Sequence, residues 1–401
     1  MRIEAYAIHE PGGAAEPFAY ETSLGSADVL VRITHRSLAR GDIQFIDNAW
    51  GDARFPLVPG HEIIGIVEAA GSDVADLHPG DRVGIGYQQQ ACFECAFCRR
   101  GREQLCVRQK VIAVDCYGGL AERIVVDGRF AFRLPPQFDS ATSTPLLSSG
   151  LTVYAGILRA GLPAGSRAAV LGAGGLGHLA IQFLHRMGHS VTAFSHSPNK
   201  RGLIERLGGM FADSSDTGHL TEHNGAFDFI LSTLNVPFDL DAFVRMLTPE
   251  GQLCLVASPL EPLSLSGGLL NNSRRSIYGN YIGSRSETVE MLDFAATHGI
   301  RAVVDVMPFA RVNDAIERIR RRDVATSVVL ESSQTAAIAY RPSRAAGRLL
   351  GRGRSILARV RHRVEVQRLH LGARPRRLTQ ELKRGPDTRI VREAADIDAG
   401  A

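Results

Sequence analysis

The stretch from Ala168 to Lys200, AAVLGAGGLGHLAIQFLHRMGHSVTAFSHSPNK, constrains this chain more than any other. Ala168 to Leu171 is a short apolar run, the length expected of a buried parallel strand. Gly172, Gly174 and Gly177 follow at once as Gly-x-Gly-x-x-Gly, with Gly175 and Leu176 inside the motif. Leu179, Ile181, Phe183, Leu184 and Met187 then recur at helical spacing, and Val191 to Ser195 reads as a second strand. In that setting each glycine has a task. The first permits the tight turn, the second lets a pyrophosphate approach the backbone, and the third lets the helix pack closely on the strand. The helix N-terminus then faces the phosphates. Without a strand before it and a helix after it, the same triplet would be an ordinary tight turn. Here it predicts a dinucleotide site in a doubly wound parallel sheet.

The end of the second strand bears on which dinucleotide is held. NAD sites usually place an acid about 20 residues past the glycines, on the ribose 2′-hydroxyl. Ser195 occupies that place, in the run Ser195-His196-Ser197-Pro198-Asn199-Lys200, with Arg201 next. Two hydroxyls (Ser195, Ser197) and two cations without a carboxylate suit a 2′-phosphate through charge-assisted hydrogen bonds. NADP(H) is the expected cofactor, although the same residues also suit a solvated loop that starts a helix.

At 401 residues there is room for two domains and ample core. The N-terminal MRIEAYAIHEPGG has no apolar h-region and reads as a first strand, and no apolar run is long enough to span a bilayer. A soluble cytoplasmic protein is expected. The net charge of +4 hides a division of the chain. From Arg341 onward fifteen Arg and one Lys face six acids, whereas the preceding residues carry thirty basic and thirty-six acidic side chains. The body is therefore mildly acidic, and nothing in it suggests a nucleic-acid groove or a membrane partner. The Arg-rich tail, 332–401, reads as a disordered extension or as translation past the natural end in another frame. RAAGRLLGRGRSILARVRHRV could alternatively form a basic amphipathic helix for a membrane surface or nucleic acid.

Up to about Pro135 the chain reads as β-rich, with turn glycines at Gly60, Gly71, Gly80 and Gly84, and its period-2 runs suggest a small barrel. Cys92, Cys95, Cys98 and Cys106 interrupt it as C-x2-C-x2-C-x7-C. In a reducing compartment disulfides stand against the redox poise. Four thiolates closing a small loop suit a tetrahedral structural zinc, with iron or unligated thiols as the alternatives. All four positions would be filled by protein, so such an ion holds a lobe together and does no chemistry. Cys116 and Cys254 are isolated and read as small core residues. Asp139 to Leu158 reads as a polar helix. FDFILST (Phe227 to Thr233) and QLCLVAS (Gln252 to Ser258) read as buried strands with a helix in DLDAFVRML between them. Helices are expected at Ser286 to His298 and Val312 to Arg321, and TSVVLES closes the body near Glu331.

These residues together resemble the zinc-dependent medium-chain alcohol dehydrogenases, nearest to the cinnamyl alcohol dehydrogenase branch and its bacterial broad-range aldehyde reductases. The likeness rests on WGDARFPLVPGHEIIGIV, GDRVGIGYQ, the four-cysteine lobe, TPLLSSGLTVYAGI, LGAGGLGHLA, FSHSPNK, STLNVP and IGSRSETVEMLDF, in the family's order over about residues 1–331. It implies an α/β protein with a β-rich, GroES-like catalytic domain over 1–150, carrying the zinc lobe at 92–106 and completed by 285–331. A Rossmann NADP-binding domain would occupy 151–284. It implies a homodimer or homotetramer, an aldehyde or alcohol substrate, and Trp50 and Tyr87 in the substrate pocket. In the family a catalytic zinc polarises a carbonyl while a nicotinamide delivers or accepts hydride.

The departures fall in the catalytic site. The family's first zinc ligand opens a Cys-His-Ser/Thr-Asp segment, and this chain has Ala39-Arg40-Gly41-Asp42 there. The next pair is kept as His61 and Glu62, and the last cysteine, after Pro-Leu-Leu, is Ser148. Gly41 stands where the family relays the alcohol proton, and Asp42 is the residue that orients the histidine. Arg40 stands where some branches meet the cofactor pyrophosphate. Two thiolates supply much of the affinity for a borderline-soft cation, and a neutral hydroxyl with His61 and Glu62 is a poor substitute. Three readings follow: an NADPH-dependent aldehyde reductase with zinc weakly held, a zinc-free reductase of conjugated carbonyls or quinones, or a catalytically inactive NADPH-binding protein. In the second, His61, Tyr87 or Ser148 would donate the proton.

Overall fold

Short strands punctuated by glycine build two large sheets, one antiparallel in the main and one wholly parallel, beside two small two-stranded ones. The computed structural model describes residues 1–332 apart from Asp216, Ser258 and Ala325, with the side chains of Thr217 and His219 also set aside. The reading of the Arg-rich tail from residue 333 lies outside the described residues. Among the described residues no helix is long and apolar enough to cross a membrane.

β1 (Arg2–Ile8) and β2 (Ala15–Glu21) pair antiparallel at the start. β3 (Asp28–Leu38), β4 (Glu62–Ala70) and β5 (Arg82–Ile85) follow. β6 (Gln88–Gln90) and β7 (Lys110–Val111) form a small ribbon flanking the cysteine lobe in sequence, before β8 (Arg123–Asp127) and β9 (Ala131–Arg133). The parallel strands are β10 (Arg167–Leu171), β11 (Ser190–Ser195), β12 (Met210–Asp213), β13 (Phe227–Ser232), β14 (Leu247–Leu255) and β15 (Ser276–Gly279). β16 (Val304–Pro308) and β17 (Ser327–Glu331) then return to the first sheet.

That sheet runs β16-β17-β3-β4-β5-β9, with β8 also on β3. Where a small closed barrel was expected, no ladder among the described residues joins β9 to β16. The second sheet runs β12-β11-β10-β13-β14-β15. β10 sits between β11 and β13, so the strand order reverses beside it, and the crevice beyond the carboxyl ends of such strands is where ligands lodge. Ala168 to Leu171 and Phe229 to Leu231 are all buried. Strands covered on both faces need such unbroken apolar runs.

Two expected helices differ in detail. The segment from Asp139 is neither continuous nor polar. A short helix, Ser140–Ser143, tightens into a 3₁₀ turn at Thr144–Leu147, and the chain breaks at Ser148 (φ −130°, ψ −61°) before the helix Ser149–Ala160. Pro145 has no amide hydrogen to give an α-helical ladder and crowds the preceding turn. Val153, Tyr154 and Ile157 of the second helix are buried in the core. The helix placed at Ser286 starts one residue earlier, Arg285–His298, because Ser284 and Glu287 close a reciprocal capping box.

Arg36, on the central strand β3, is fully buried. Its guanidinium donates to the carbonyls of Gly119 (3.2 Å) and Ala121 (3.1 Å) and to Ser332 Oγ (2.9 Å), and lies over the Phe309 ring at 3.9 Å. Burial lowers its pKa to about 9, which still leaves it charged at neutral pH. One side chain thus ties β3 to the 119–121 segment and to Ser332 just past β17. Arg36→Leu should remove at least about 3 kcal/mol of stability, since several buried carbonyls lose a charged donor. Urea unfolding of the variant would check this, and a loss below about 1 kcal/mol would show that the carbonyls find other partners.

Candidate active site

The glycine loop is built almost without slack. Gly172 has φ +90°, and a Cβ there would stand 2.8 Å from Thr233 Oγ1. A Cβ on Gly177 would lie 1.8 Å from the Gly172 carbonyl oxygen, so the helix Gly177–Arg186 meets β10 closely only because residue 177 has no side chain. At Gly175 a Cβ would sit 3.3 Å from Ser327 Oγ. Gly174 is different, for a Cβ there meets nothing within 4 Å. That is the open side on which a pyrophosphate can approach the backbone, and Leu176 leads from it into the helix.

Two side chains brace the loop. Lys200 Nζ donates to the Ala173 carbonyl at 2.9 Å, and burial lowers its pKa. His178 lies within hydrogen-bond distance of the Gly174 carbonyl through Nδ1 (2.9 Å), and its Nε2 accepts from the Val303 amide (3.1 Å). Burial lowers its pKa to about 4, so it is neutral with the proton on Nδ1. Sequence reasoning passed over His178, and the one available signal was a polar residue on an otherwise apolar face directly after the third glycine. Ser195 ends β11, and its Oγ accepts from the Ser197 amide at 3.2 Å. Asp213 stands opposite Ser195 on β12, and its Oδ1 accepts from the Ser215 amide (2.8 Å) and hydroxyl (2.6 Å). The carboxylate absent from the end of β11 thus has a counterpart one strand away, engaged with its own turn.

Asp42 organises the second half of the site. It lies in the first turn of the short helix Arg40–Ile46 and is buried. Its Oδ2 accepts from the Ala39 amide (2.9 Å), while its Oδ1 accepts from the Gly60 amide (3.0 Å) and meets His61 Nδ1 (3.0 Å). Burial pulls the His61 imidazole down, but the charge and hydrogen bond of Asp42 and the charge of Glu62 outweigh it and hold it at about 9. Glu62 is buried, which pushes it up. Its Oε1 accepts from the Ser149 amide (2.8 Å) and hydroxyl (2.7 Å), and its Oε2 from Ser37. Ser148 is buried at the helix break beside them in sequence. Arg40 makes no ion pair among the described residues, and burial, then the nearby Arg322 charge, lower its pKa.

Of the two aromatics expected in the pocket, Tyr87 is buried with its ring edge-on to His61 at 5.4 Å. Trp50 is 45% exposed and reaches His61 only through Phe45. A third ring, Tyr281, was not anticipated. It lies just past β15, and its hydroxyl donates to that of Tyr87. A single exposed-looking tyrosine in a loop carries no sequence signal of such a contact.

The four cysteines fit zinc. Their sulfurs lie within 4.8 Å of one another, with Cys92 to Cys106 at 3.4 Å and Cys92 to Cys98 at 3.9 Å. A tetrahedral ZnS₄ centre spaces its sulfurs about 3.8 Å apart. Main-chain N–H groups of Glu94 and Cys95 lower the Cys92 thiol to about 6, as a metal-binding thiolate requires. Cys92, Cys95, Cys98 and Cys106 would hold the ion and close the lobe. The His61 region does not fit a catalytic zinc. Among the described residues the cysteine lobe is the only group of three or more His, Cys, Asp or Glu ligand atoms so close together. Held by Asp42 through Nδ1, His61 has only Nε2 to offer, while both Glu62 oxygens are occupied by donors, Ala39 offers no donor atom and Ser148 only a neutral hydroxyl. Catalytic zinc sites need three protein ligands.

Gly177→Ala should abolish NADPH binding and lower Tm, since its Cβ cannot coexist with the Gly172 carbonyl; fluorescence titration and thermal melts would measure both. His178 is neutral when folded but takes a proton near 6.5 when unfolded. The unfolded chain therefore binds more protons between pH 6.5 and about 4, and stability falls as pH drops through that window. His178→Gln should lessen the loss between pH 7 and pH 5 by about 2 kcal/mol, read from urea unfolding at the two values.

The matches to known proteins follow this geometry. Residues 25–136 match the alcohol dehydrogenase GroES-like domain and residues 175–337 the zinc-binding dehydrogenase family. A probable formaldehyde dehydrogenase of Bacillus subtilis (strain 168) is 41% identical over 315 residues, covering 76% of this chain and 90% of that protein. An aldehyde reductase of Synechocystis sp. (strain ATCC 27184 / PCC 6803 / Kazusa) is 36% identical over 334 residues, covering 83% and 99%. Among solved structures, a cinnamyl alcohol dehydrogenase of Sorghum bicolor superposes with a TM-score of 0.81 at 30% identity, covering 85% of this chain and all of that one. The Helicobacter pylori cinnamyl alcohol dehydrogenase complexed with NADP(H) superposes with a TM-score of 0.78 at 26% identity, covering 82% and 98%. The chain belongs to the zinc-type medium-chain alcohol dehydrogenases, a family of alcohol and aldehyde oxidoreductases.

Proposed function

We propose that this protein is an NADP(H)-dependent reductase of aldehydes, able to run in reverse on primary alcohols. One observation carries the reading. Tyr281, at the carboxyl end of the parallel sheet that bears the glycine loop, touches Tyr87, whose ring packs on His61. The dinucleotide cradle and the His61 pocket therefore border one crevice, as hydride transfer requires. Ser195, Ser197 and Lys200 would meet a 2′-phosphate, and Arg40 the pyrophosphate. Bound there, a dihydronicotinamide supplies the hydride. The names of the relatives and the NADP(H) of the H. pylori structure support the same chemistry.

The chain's own residues do the rest. The glycine loop and the helix N-terminus orient the pyrophosphate. Asp42 fixes the His61 ring, and the surrounding aromatic rings keep water from the reacting carbon. No step passes through a catalytic zinc, because the donor set does not fit one. That misfit favours a second reading, reduction of a conjugated carbonyl, whose acceptor is electrophilic without a metal. The thiols, none in a disulfide, suit a reducing compartment such as the cytoplasm, and a homodimer or homotetramer is proposed from the family.

The full-length chain should oxidise NADPH with benzaldehyde or cinnamaldehyde, with kcat/KM for NADH at least roughly tenfold lower, a ratio worth about 1.4 kcal/mol of 2′-phosphate contact. It should carry about one zinc per chain by elemental mass spectrometry. Identification of the product separates the readings: cinnamyl alcohol supports the aldehyde reductase, the saturated aldehyde supports the conjugated-carbonyl reductase. NADPH binding without oxidation by either substrate would defeat both.

A further inference from the structure

We propose that the Tyr87–Tyr281 hydroxyl pair is the carbonyl-activating proton donor of this enzyme, in the position where its relatives would use a metal. The inference rests on the reductase reading above and adds to it the group that meets the substrate oxygen.

The geometry is that of a relay. Tyr87 follows β5 of the antiparallel sheet, and Tyr281 follows β15 of the parallel one, so the pair joins the two halves at the mouth of the crevice. The rings meet edge to face at 5.1 Å, and the Tyr281 hydroxyl donates to the Tyr87 oxygen. With Tyr281 as the donor of that bond, the Tyr87 proton is left for an acceptor in the pocket, no acceptor among the described residues other than the Tyr281 oxygen lying against it. Tyr281 is held from behind: its carbonyl accepts from Thr152 Oγ1 (3.0 Å), and the adjacent Asn280 side chain donates to the Thr152 carbonyl (2.9 Å). Tyr87 is 9% exposed and Tyr281 58%, so one phenol faces the pocket interior and the other faces water. Burial pushes Tyr87 above its ordinary pKa, which keeps it protonated as a donor.

The step balances with these groups and the dihydronicotinamide. Hydride adds to the carbonyl carbon, the C=O π pair moves onto oxygen, and the Tyr87 proton transfers to that oxygen. The Tyr87 phenolate takes the Tyr281 proton along their hydrogen bond, and water restores Tyr281 at its exposed face. A hydrogen bond received by Tyr87 also makes its own O–H a stronger donor. Tyr87 is thus assigned as the catalytic acid and Tyr281 as its positioning residue and proton source.

The test uses the full-length chain and its Tyr87→Phe and Tyr281→Phe variants, each shown by fluorescence titration to bind NADPH as the parent does. Benzaldehyde reduction should fall roughly 10² to 10⁴-fold in Tyr87→Phe, the range of a lost general acid. In Tyr281→Phe it should fall about tenfold, the worth of one hydrogen bond. A second readout needs no turnover: the infrared carbonyl stretch of benzaldehyde bound together with NADP⁺. It should lie below the free-aldehyde frequency in the parent, return toward it in Tyr87→Phe, and be unmoved by a chelator that leaves the structural zinc in place. A shift that persists in Tyr87→Phe and vanishes with the chelator would overturn the proposal, and so would Tyr87→Phe turnover within about threefold of the parent. If the parent reduces no aldehyde, the functional reading fails by itself, and the carbonyl stretch still decides whether Tyr87 is the donor.

Discussion

The approach of Gly177 to the carbonyl of Gly172 is the contact on which the remaining architecture turns. With no side chain between them, helix and strand meet backbone to backbone, and the helix N-terminus is fixed at the carboxyl end of β10. His178, the next residue, carries that precision outward. It ties the Gly174 carbonyl to the amide of Val303, which leads directly into β16 of the other sheet. Ser327, at the start of β17, backs Gly175 from the same side. The glycine loop is therefore braced by the antiparallel sheet, and one piece of backbone fixes the two against each other.

The buried polar cluster around Asp42 makes a related point about economy of donors. Asp42, His61 and Glu62 are all out of water, yet each oxygen of the two carboxylates has a donor. Such networks are favourable only when their charges are satisfied, and both carboxylates here are. Main-chain amides of Ala39, Gly60 and Ser149 supply donors to the two carboxylates. The four-cysteine lobe, by contrast, brings four sulfurs close enough to hold a zinc ion.

What the sequence made legible is what local rules determine. The strand, glycine turn and helix around residues 168–186 follow from periodicity and from positions where only glycine fits, and the cysteine spacing marks a metal lobe by itself. The family relation was legible too, through many short segments in order. The break at Ser148 was not, because Asp139 to Leu158 looks helical until Pro145 is weighed against a buried neighbour. Nor were His178 and Tyr281, whose partners, Val303 and Tyr87, are more than a hundred residues distant in the chain. The sheet was expected to close as a barrel since alternation gives strand faces but not which strand ends at an edge. Trp50, which the family pattern puts at the pocket, is 45% exposed and packs on Phe45, which meets His61.

Arg36 adds a constraint on the order of assembly. Its carbonyl partners at Gly119 and Ala121 lie within the first third of the chain, but Ser332 Oγ and the β17 strand that cover it come after the entire parallel sheet. A ribosome making this protein from its N-terminus exposes β3 with a guanidinium that lacks part of its shell. Until about residue 332 has left the exit tunnel, that charge must remain hydrated and the antiparallel sheet must stay incomplete. The nucleotide-binding sheet, whose strands are contiguous in sequence, has no such wait. The half of the enzyme translated first is thus the half that must finish last.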